Sequence, residues 1–215
     1  MKKKLLIFDL DGTIADTIYS IRDGVNMAMD KYGFPRRSYE DIRAAIGNGA
    51  RELIRLSMPE SARADADLVD AVLRDYDGFY GLTYANVEGC YPHMNEAIHE
   101  LRNRGYIIAI LSNKQDAYVR KITELLFPDG TVSFAAGQTE LPKKPDPTVP
   151  LMIAESFGAK PSECAFIGDS DVDVMTAKNA GMTSVACPWG YRPREVLADA
   201  DVIVESADEL TRIFE

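Results

Sequence analysis

The chain has 215 residues, 46% of them hydrophobic and 27% charged, with 34 acids against 24 bases and a formal net charge of −10. That length holds one large domain, or a core with a small insertion, and the acidic balance argues against a nucleic-acid partner, which selects basic surface. The apolar run before Asp9 is too short for a signal peptide, and no stretch has membrane-spanning length, so no membrane partner is expected. Cys90, Cys164 and Cys187 are odd in number and widely spaced, without a Cys-x-x-Cys. They read as reduced packing residues of a cytoplasmic protein.

The first predicted element is Leu5-Leu6-Ile7-Phe8, a short apolar run cut off by Asp9 and Asp11. An unbroken run of this kind reads as a strand buried on both faces, central in a parallel sheet. Helical spacing follows from Thr17 to about Tyr32, through Ile18, Ile21, Val25 and Met29, with Asp16 or Thr17 as its cap. Ser38 to Ala45 and Ala50 to Leu56 read as shorter helices around Gly47-Asn48-Gly49. A long helix is expected from about Ser61 to Tyr80, with Leu68, Val72, Leu73 and Tyr76 on its apolar side. Residues 15–85 thus form an all-helical insertion after the first strand, and residues 1–14 and 86–215 form the core.

Beyond Tyr91-Pro92, strands alternate with helices. Met94 to Arg104 is helical, and 106–111 is a buried strand ending in Ser112-Asn113-Lys114. A helix over 116–126, a strand over 132–136 and a loop holding Lys143 and Lys144 come next. Helix 149–157 leads to strand 164–167, which ends in Gly168-Asp169-Ser170-Asp171-Val172-Asp173. A helix to about Asn179, short strands at 183–186 and 202–204, and a helix over 207–214 complete the pattern. Alternation of this kind builds βαβ units, and hence an α/β fold: a doubly wound, Rossmann-like parallel-sheet core carrying an inserted helical domain.

Four polar groups follow predicted strands: Asp9/Asp11/Thr13, Ser112/Asn113, Lys144 and Asp169/Asp171/Asp173. Parallel strands bring such ends to one edge, where open α/β sheets bind ligands. Taken singly, Asp-Leu-Asp-Gly is also what a solvated turn looks like; four such groups on one edge argue for a site. Clustered carboxylates suit a hard cation such as Mg²⁺, and Lys144 and the Ser112 hydroxyl add donors for a phosphoryl group. An aspartate can take up a phosphoryl group, and a carboxylate two residues on can serve as acid and then base.

Asp9-Leu10-Asp11-Gly12-Thr13, Ser112-Asn113, Lys144-Pro145-Asp146-Pro147 and Gly168-Asp169-Ser170-Asp171-Val172-Asp173 resemble the four ordered motifs of the haloacid dehalogenase superfamily of phosphatases. Gly47-Asn48-Gly49-Ala50-Arg51, the Gly105-Tyr106 to Lys114 segment, and Trp189-Gly190-Tyr191 with Ala200-Asp201 are most similar to its phosphoglycolate phosphatase branch. The resemblance implies Asp9 as nucleophile and metal ligand. It implies Asp11 as acid and base, with its carbonyl also on Mg²⁺. Ser112, Asn113 and Thr13 fall at the phosphate loop, and Lys144 bridges phosphate and Asp9. Asp169 and Asp173 complete the metal site. The helical insertion is similar to the family's cap, where Asn48, Gly49 and Arg51 are the candidate specificity residues. A guanidinium at 51 suits a substrate carboxylate, although a surface arginine on a helix is the commoner reading of an isolated residue.

Other residues have plainer readings. Lys143 competes with Lys144, which is preferred because it directly precedes Pro145. Asp171 suits a helix start, Asp16 an N-cap, and His93 and His99 structural or surface roles, while Trp189 and Tyr191 either pack or border the pocket. The function expected is Mg²⁺-dependent hydrolysis of a small phosphorylated metabolite, with phosphoglycolate as best substrate and pyrophosphate, sugar or nucleotide phosphates as alternatives. A phosphomutase resembling β-phosphoglucomutase and a catalytically silent binding protein are further readings. A phosphoaspartate receiver is disfavoured by the helical insertion. The chain is expected to act as a monomer or homodimer.

Overall fold

In the computed structural model, which describes residues 1–214, Leu5–Phe8 forms β1 with all four side chains fully buried. It pairs in parallel with β2 (Ile107–Gln115) on one side and β4 (Cys164–Gly168) on the other. With β3 (Phe134–Gln138), β5 (Thr183–Ala186) and β6 (Val202–Ile203), the strands form a six-stranded sheet in the order β3-β2-β1-β4-β5-β6. The winding reverses between β1 and β4, and a crevice forms at the carboxyl ends of strands at such a switch point. Phe8 is level with Ile110 and with Ile167, so the residues that follow each of these emerge side by side.

The chain divides into two compact units, Met1–Asp16 with Gly89–Glu215, and Thr17–Glu88. In the first, helices α5 (Met94–Asn103), α6 (Asp116–Leu126), α7 (Thr148–Ser156), α8 (Asp171–Asn179) and α9 (Ala207–Ile213) accompany the sheet. Leu5, Ile7, Ala109, Leu111 and Phe166 pack with Ile153, Ala154 and Ala177 of α7 and α8. Strand pleating turns the intervening Leu6 and Phe8 to the opposite face. Ala15 bridges both Asp11 and Cys90, and the Tyr91 N–H donates to the Ile14 carbonyl at 2.9 Å. The chain therefore leaves and re-enters this unit at adjoining points.

The second unit holds α1 (Ile18–Lys31), α2 (Tyr39–Ala45), α3 (Ala50–Ser57) and α4 (Ala66–Thr83), with no strand among its described residues. Gly24 lets α1 and α4 approach closely, since a Cβ there would stand 3.3 Å from Thr83 Oγ1, Tyr76 Cε2 and Tyr80 Cα. Thr83 Oγ1 also donates to the Ser20 carbonyl at 2.9 Å. The long helix begins at Ala66 instead of near Ser61. Glu60–Ala62 closes a 3-10 turn after Pro59, and the Asp65 side chain caps α4 by accepting from the Leu68 N–H. Its buried face is accordingly Val69, Val72, Tyr76 and Tyr80, leaving Leu68 and Leu73 half-buried.

Strand boundaries also differ from expectation, most clearly at the end of β2 and the start of β3. β2 continues through Ser112, Asn113 and Lys114 to Gln115, with its register against β3 shifting between Leu111 and Gln115. β3 starts at Phe134 and not at Val132. Neither end carries a glycine or proline to mark it in the sequence, so pairing sets both. No helix among the described residues is long and apolar enough to cross a membrane.

Candidate active site

Asp9 and Asp169 leave the ends of adjacent strands β1 and β4, and Asp173 lies in the first turn of α8. Each offers a carboxylate oxygen within 4.8 Å of the others, and all three residues are buried. Lys144 enters the same cluster, its Nζ standing 2.9 Å from Asp9 Oδ1 and 2.7 Å from Asp173 Oδ1. Lys143 is exposed.

The electrostatics follow from this crowding. Burial raises the Asp9 carboxyl from 3.8 to about 6; Lys144 opposes the rise, and Asp173 and Asp11 add to it. Burial, reinforced by Asp173 and Asp9, raises Asp169 from 3.8 to about 8. Burial pulls the Lys144 ammonium down, but Asp173 and Asp9 outweigh it and the net shift is upward. The group is thus a lysine locked between carboxylates, beside carboxylates short of positive charge.

The remaining expected residues fall around this centre in distinct ways. The Thr13 hydroxyl lies 3.2 Å from Asp169 Oδ1 as a hydrogen-bond donor, so it is turned to a carboxylate. Ser112 and Asn113 are buried at the end of β2. The Asn113 side chain is spent on the Lys144 peptide unit, accepting from its N–H at 2.9 Å and donating to its carbonyl at 3.1 Å. Asp173 Oδ2 accepts from the Ser170 N–H at 3.1 Å and its hydroxyl at 2.6 Å, in a capping box that starts α8. Asp171 is exposed in that first turn. Asp16 does not cap α1: the N-cap is Thr17, and Asp16 Oδ1 instead accepts the Tyr191 hydroxyl at 2.9 Å.

Two further contributors complete the surroundings, the first from the Trp189-Gly190-Tyr191 segment, whose two aromatic residues the sequence left between packing and bordering the pocket. The Tyr191 N–H donates to Asp169 Oδ2 at 2.7 Å, and the Trp189 indole N–H donates to the Thr13 carbonyl at 3.1 Å. The Trp189-Gly190-Tyr191 loop thereby steadies both Asp169 and the loop after β1. The second is Lys114, whose Nζ lies 3.0 and 3.3 Å from the two Asp11 carboxylate oxygens. Only 7% of the Lys114 side chain and 11% of the Asp11 side chain are exposed. The available signal was its place two residues after Ser112, the spacing that returns a strand side chain to the same face.

The helical unit holds Asn48, Gly49 and Arg51 around the start of α3. Gly49 is its N-cap, with φ 86°. Arg51 Nε pairs with Asp70 Oδ1 at 2.8 Å, both side chains being about half exposed. His99 bridges the Asn95 carbonyl and Asp129, and His93 caps α5 in a left-handed conformation. Neither histidine joins the carboxylate cluster.

A metal fits the donor set. The three clustered groups are all carboxylates, the preference of a hard cation. Asp9 Oδ1, although ion-paired to Lys144, makes no well-formed hydrogen bond and is almost wholly buried. Four carboxylates (Asp9, Asp11, Asp169, Asp173) face two lysines; once all four are ionised, they leave an excess of two negative charges that a divalent ion would offset.

A model of the haloacid dehalogenase-like hydrolases matches residues 6–187 of the chain. A curated phosphoglycolate phosphatase of Vibrio parahaemolyticus is 30% identical over 98% of this chain and 95% of its own length. That of Mannheimia succiniciproducens is 31% identical over 98% and 97%. Among solved structures, a Lactobacillus delbrueckii protein described as a candidate phosphoglycolate phosphatase superposes with a TM-score of 0.89 at 29% identity, covering 99% of this chain and 98% of that one. A β-phosphoglucomutase of Clostridium difficile, with TM-score 0.79 and 19% identity over 97% and 93%, shares the fold.

Proposed function

The chain belongs to the haloacid dehalogenase-like hydrolase family, and from that premise we propose that it hydrolyses small phosphomonoesters through a phosphoaspartate on Asp9, with phosphoglycolate as substrate. The observation that carries this reading is the buried group of Asp9, Asp169, Asp173 and Lys144 at the switch point of the sheet. The names of the relatives support the substrate.

In the first step an Asp9 carboxylate oxygen bonds to phosphorus as the bond to the ester oxygen breaks, and Asp11 protonates the departing alkoxide. In the second, water attacks the same phosphorus and the Asp9–phosphorus bond breaks, while Asp11 takes the water proton. Ser112 and the Asn113 backbone N–H hold phosphoryl oxygens, Lys144 neutralises charge between them and Asp9, and Thr13 keeps the loop after β1 in place. Asp9, the Asp11 carbonyl, Asp169 and Asp173 would hold Mg²⁺, which when bound supplies charge neutralisation at the phosphoryl oxygens.

The helical insertion, expected over residues 15–85 and compact over Thr17–Glu88, is assigned as the family's cap, with Asn48, Gly49 and Arg51 as its candidate specificity residues. The three cysteines are unpaired, in keeping with a cytoplasmic location.

The deciding assay is phosphate release, with and without Mg²⁺, from phosphoglycolate, sugar phosphates, nucleotides and pyrophosphate. Mg²⁺-dependent release concentrated on phosphoglycolate is expected. Sugar-phosphate isomerisation without net release would replace hydrolysis by a mutase reaction, and no release from any ester would remove the phosphatase reading.

A further inference from the structure

We propose that Lys114 is the residue that recognises a carboxylate on the leaving group, so that the core unit itself selects phosphate esters of short 2-hydroxy acids. The inference rests on the roles assigned above to Asp9 and Asp11, and deepens them.

The geometry follows from the Asp11 contact. As acid, the Asp11 carboxyl must meet the ester oxygen of the substrate. Lys114 Nζ lies 3.0 Å from that carboxyl, on a strand end two residues beyond Ser112. In an ester of glycolate, one carbon separates the ester oxygen from the carboxylate. A group that touches Asp11 is therefore within reach of the carboxylate of a substrate seated against Asp11. A longer or neutral leaving group would not offer an anion at that place.

Burial gives the contact its weight. The Lys114 side chain is 7% exposed, and a cation so removed from water gains far more from an anion than an exposed one does. Arg51, the alternative in the helical unit, is about half exposed and engaged by Asp70, where pairing with a further anion is screened by solvent.

The strand end is also held rigidly. The Lys114 N–H lies 3.4 Å from Ser112 Oγ, and Asp116 Oδ1 accepts from the Gly137 N–H at 2.9 Å. A Cβ at Gly137 would collide with the Lys114 carbonyl, so β2 and β3 meet more closely here than a side chain would permit. The ammonium is presented by a fixed backbone, which limits the ordering cost of binding.

The test compares kcat/KM for phosphoglycolate and for its neutral amide, in the wild-type protein and in K114M, K114R and R51A. The wild type should prefer the acid by about 30-fold or more, the range of a buried charge-assisted contact. K114M should slow both esters, through Asp11, but slow the acid about tenfold further, collapsing the preference. K114R should retain part of it, and R51A most of it.

Equal losses on both esters in K114M would mean that Lys114 acts only through Asp11, and would overturn the proposal. A collapse in R51A but not in K114M would overturn it too. Should K114M fail to fold, the wild-type comparison still decides: equal turnover of acid and amide sinks the idea without any variant. A wild type that releases phosphate from neither ester, nor from any other, instead defeats the phosphatase reading beneath it.

Discussion

Asn113 and Lys144 are joined by a reciprocal pair of hydrogen bonds, the Asn113 amide accepting from the Lys144 N–H and donating to its carbonyl at 2.9 and 3.1 Å. The Lys144 ammonium then reaches Asp9 and Asp173. A side chain at the end of β2 thus sets the backbone that delivers the buried cation. Asn113→Ala removes both bonds and should cost about 1–3 kcal/mol of stability. It should also lower kcat by about 10- to 100-fold by loosening Lys144. Urea unfolding and steady-state kinetics check this together. An unchanged midpoint with a raised KM alone would assign the Asn113 side chain to phosphate binding instead.

Asp9→Asn keeps the shape of the side chain and removes the proposed nucleophile. Turnover should fall by about a thousandfold or more. The fold should survive, because Lys144 retains Asp173 at 2.7 Å. Circular dichroism and phosphate release read the two halves, and appreciable residual turnover would exclude a phosphoaspartate on this residue.

The raised carboxylates should make metal binding at the proposed site pH-dependent. Asp9 and Asp169 are raised by burial from 3.8 to about 6 and about 8. Metal-free, the fold therefore holds more protons than the unfolded chain across that window, and the contribution of these groups to stability falls as pH rises through it. A divalent cation must displace those protons. The gain in Tm on adding Mg²⁺ should accordingly be larger at about pH 8 than at about pH 5.5. Scanning calorimetry at the two pH values checks it, and a gain independent of pH would place the ion elsewhere.

Gly12 has φ 86°, and a Cβ there would stand 2.5 Å from Asp169 Oδ2 and 2.9 Å from Tyr191 Cδ2. Gly33 has φ 66° with nothing within 4 Å of such a Cβ. Gly33→Ala should show the backbone cost alone, about 1–2 kcal/mol. Gly12→Ala should cost more, and should also abolish Mg²⁺ stabilisation by displacing Asp169. Equal effects in thermal melts would mean that Asp169 yields freely.

The parts of this site legible in the sequence were those that depend on strand ends. Leu5–Phe8 is wholly apolar and wholly buried, so the position of Asp9 at a central strand end followed from the run alone. The parallel order then explains why Ser112 and Asp169 lie beside it. The Lys114–Asp11 pair was not legible, because it joins residues 103 positions apart and depends on β2 continuing past Leu111 without any change in composition. Asp16 was misread for a related reason: its partner, the Tyr191 hydroxyl, arrives from the far end of the chain, and local capping rules take no account of it. The start of α4 at Ala66 turned on competition between a 3-10 turn and helix, which apolar spacing does not weigh.

The crossing of the chain at Ala15–Cys90 and Ile14–Tyr91 makes residues 17–88 a cassette. Because its two ends are stitched together on the α/β side, the sheet has no stake in the length or architecture of what lies between them. A foreign insert, or a short glycine linker, spliced between Asp16 and Gly89 should leave the parallel sheet assembled.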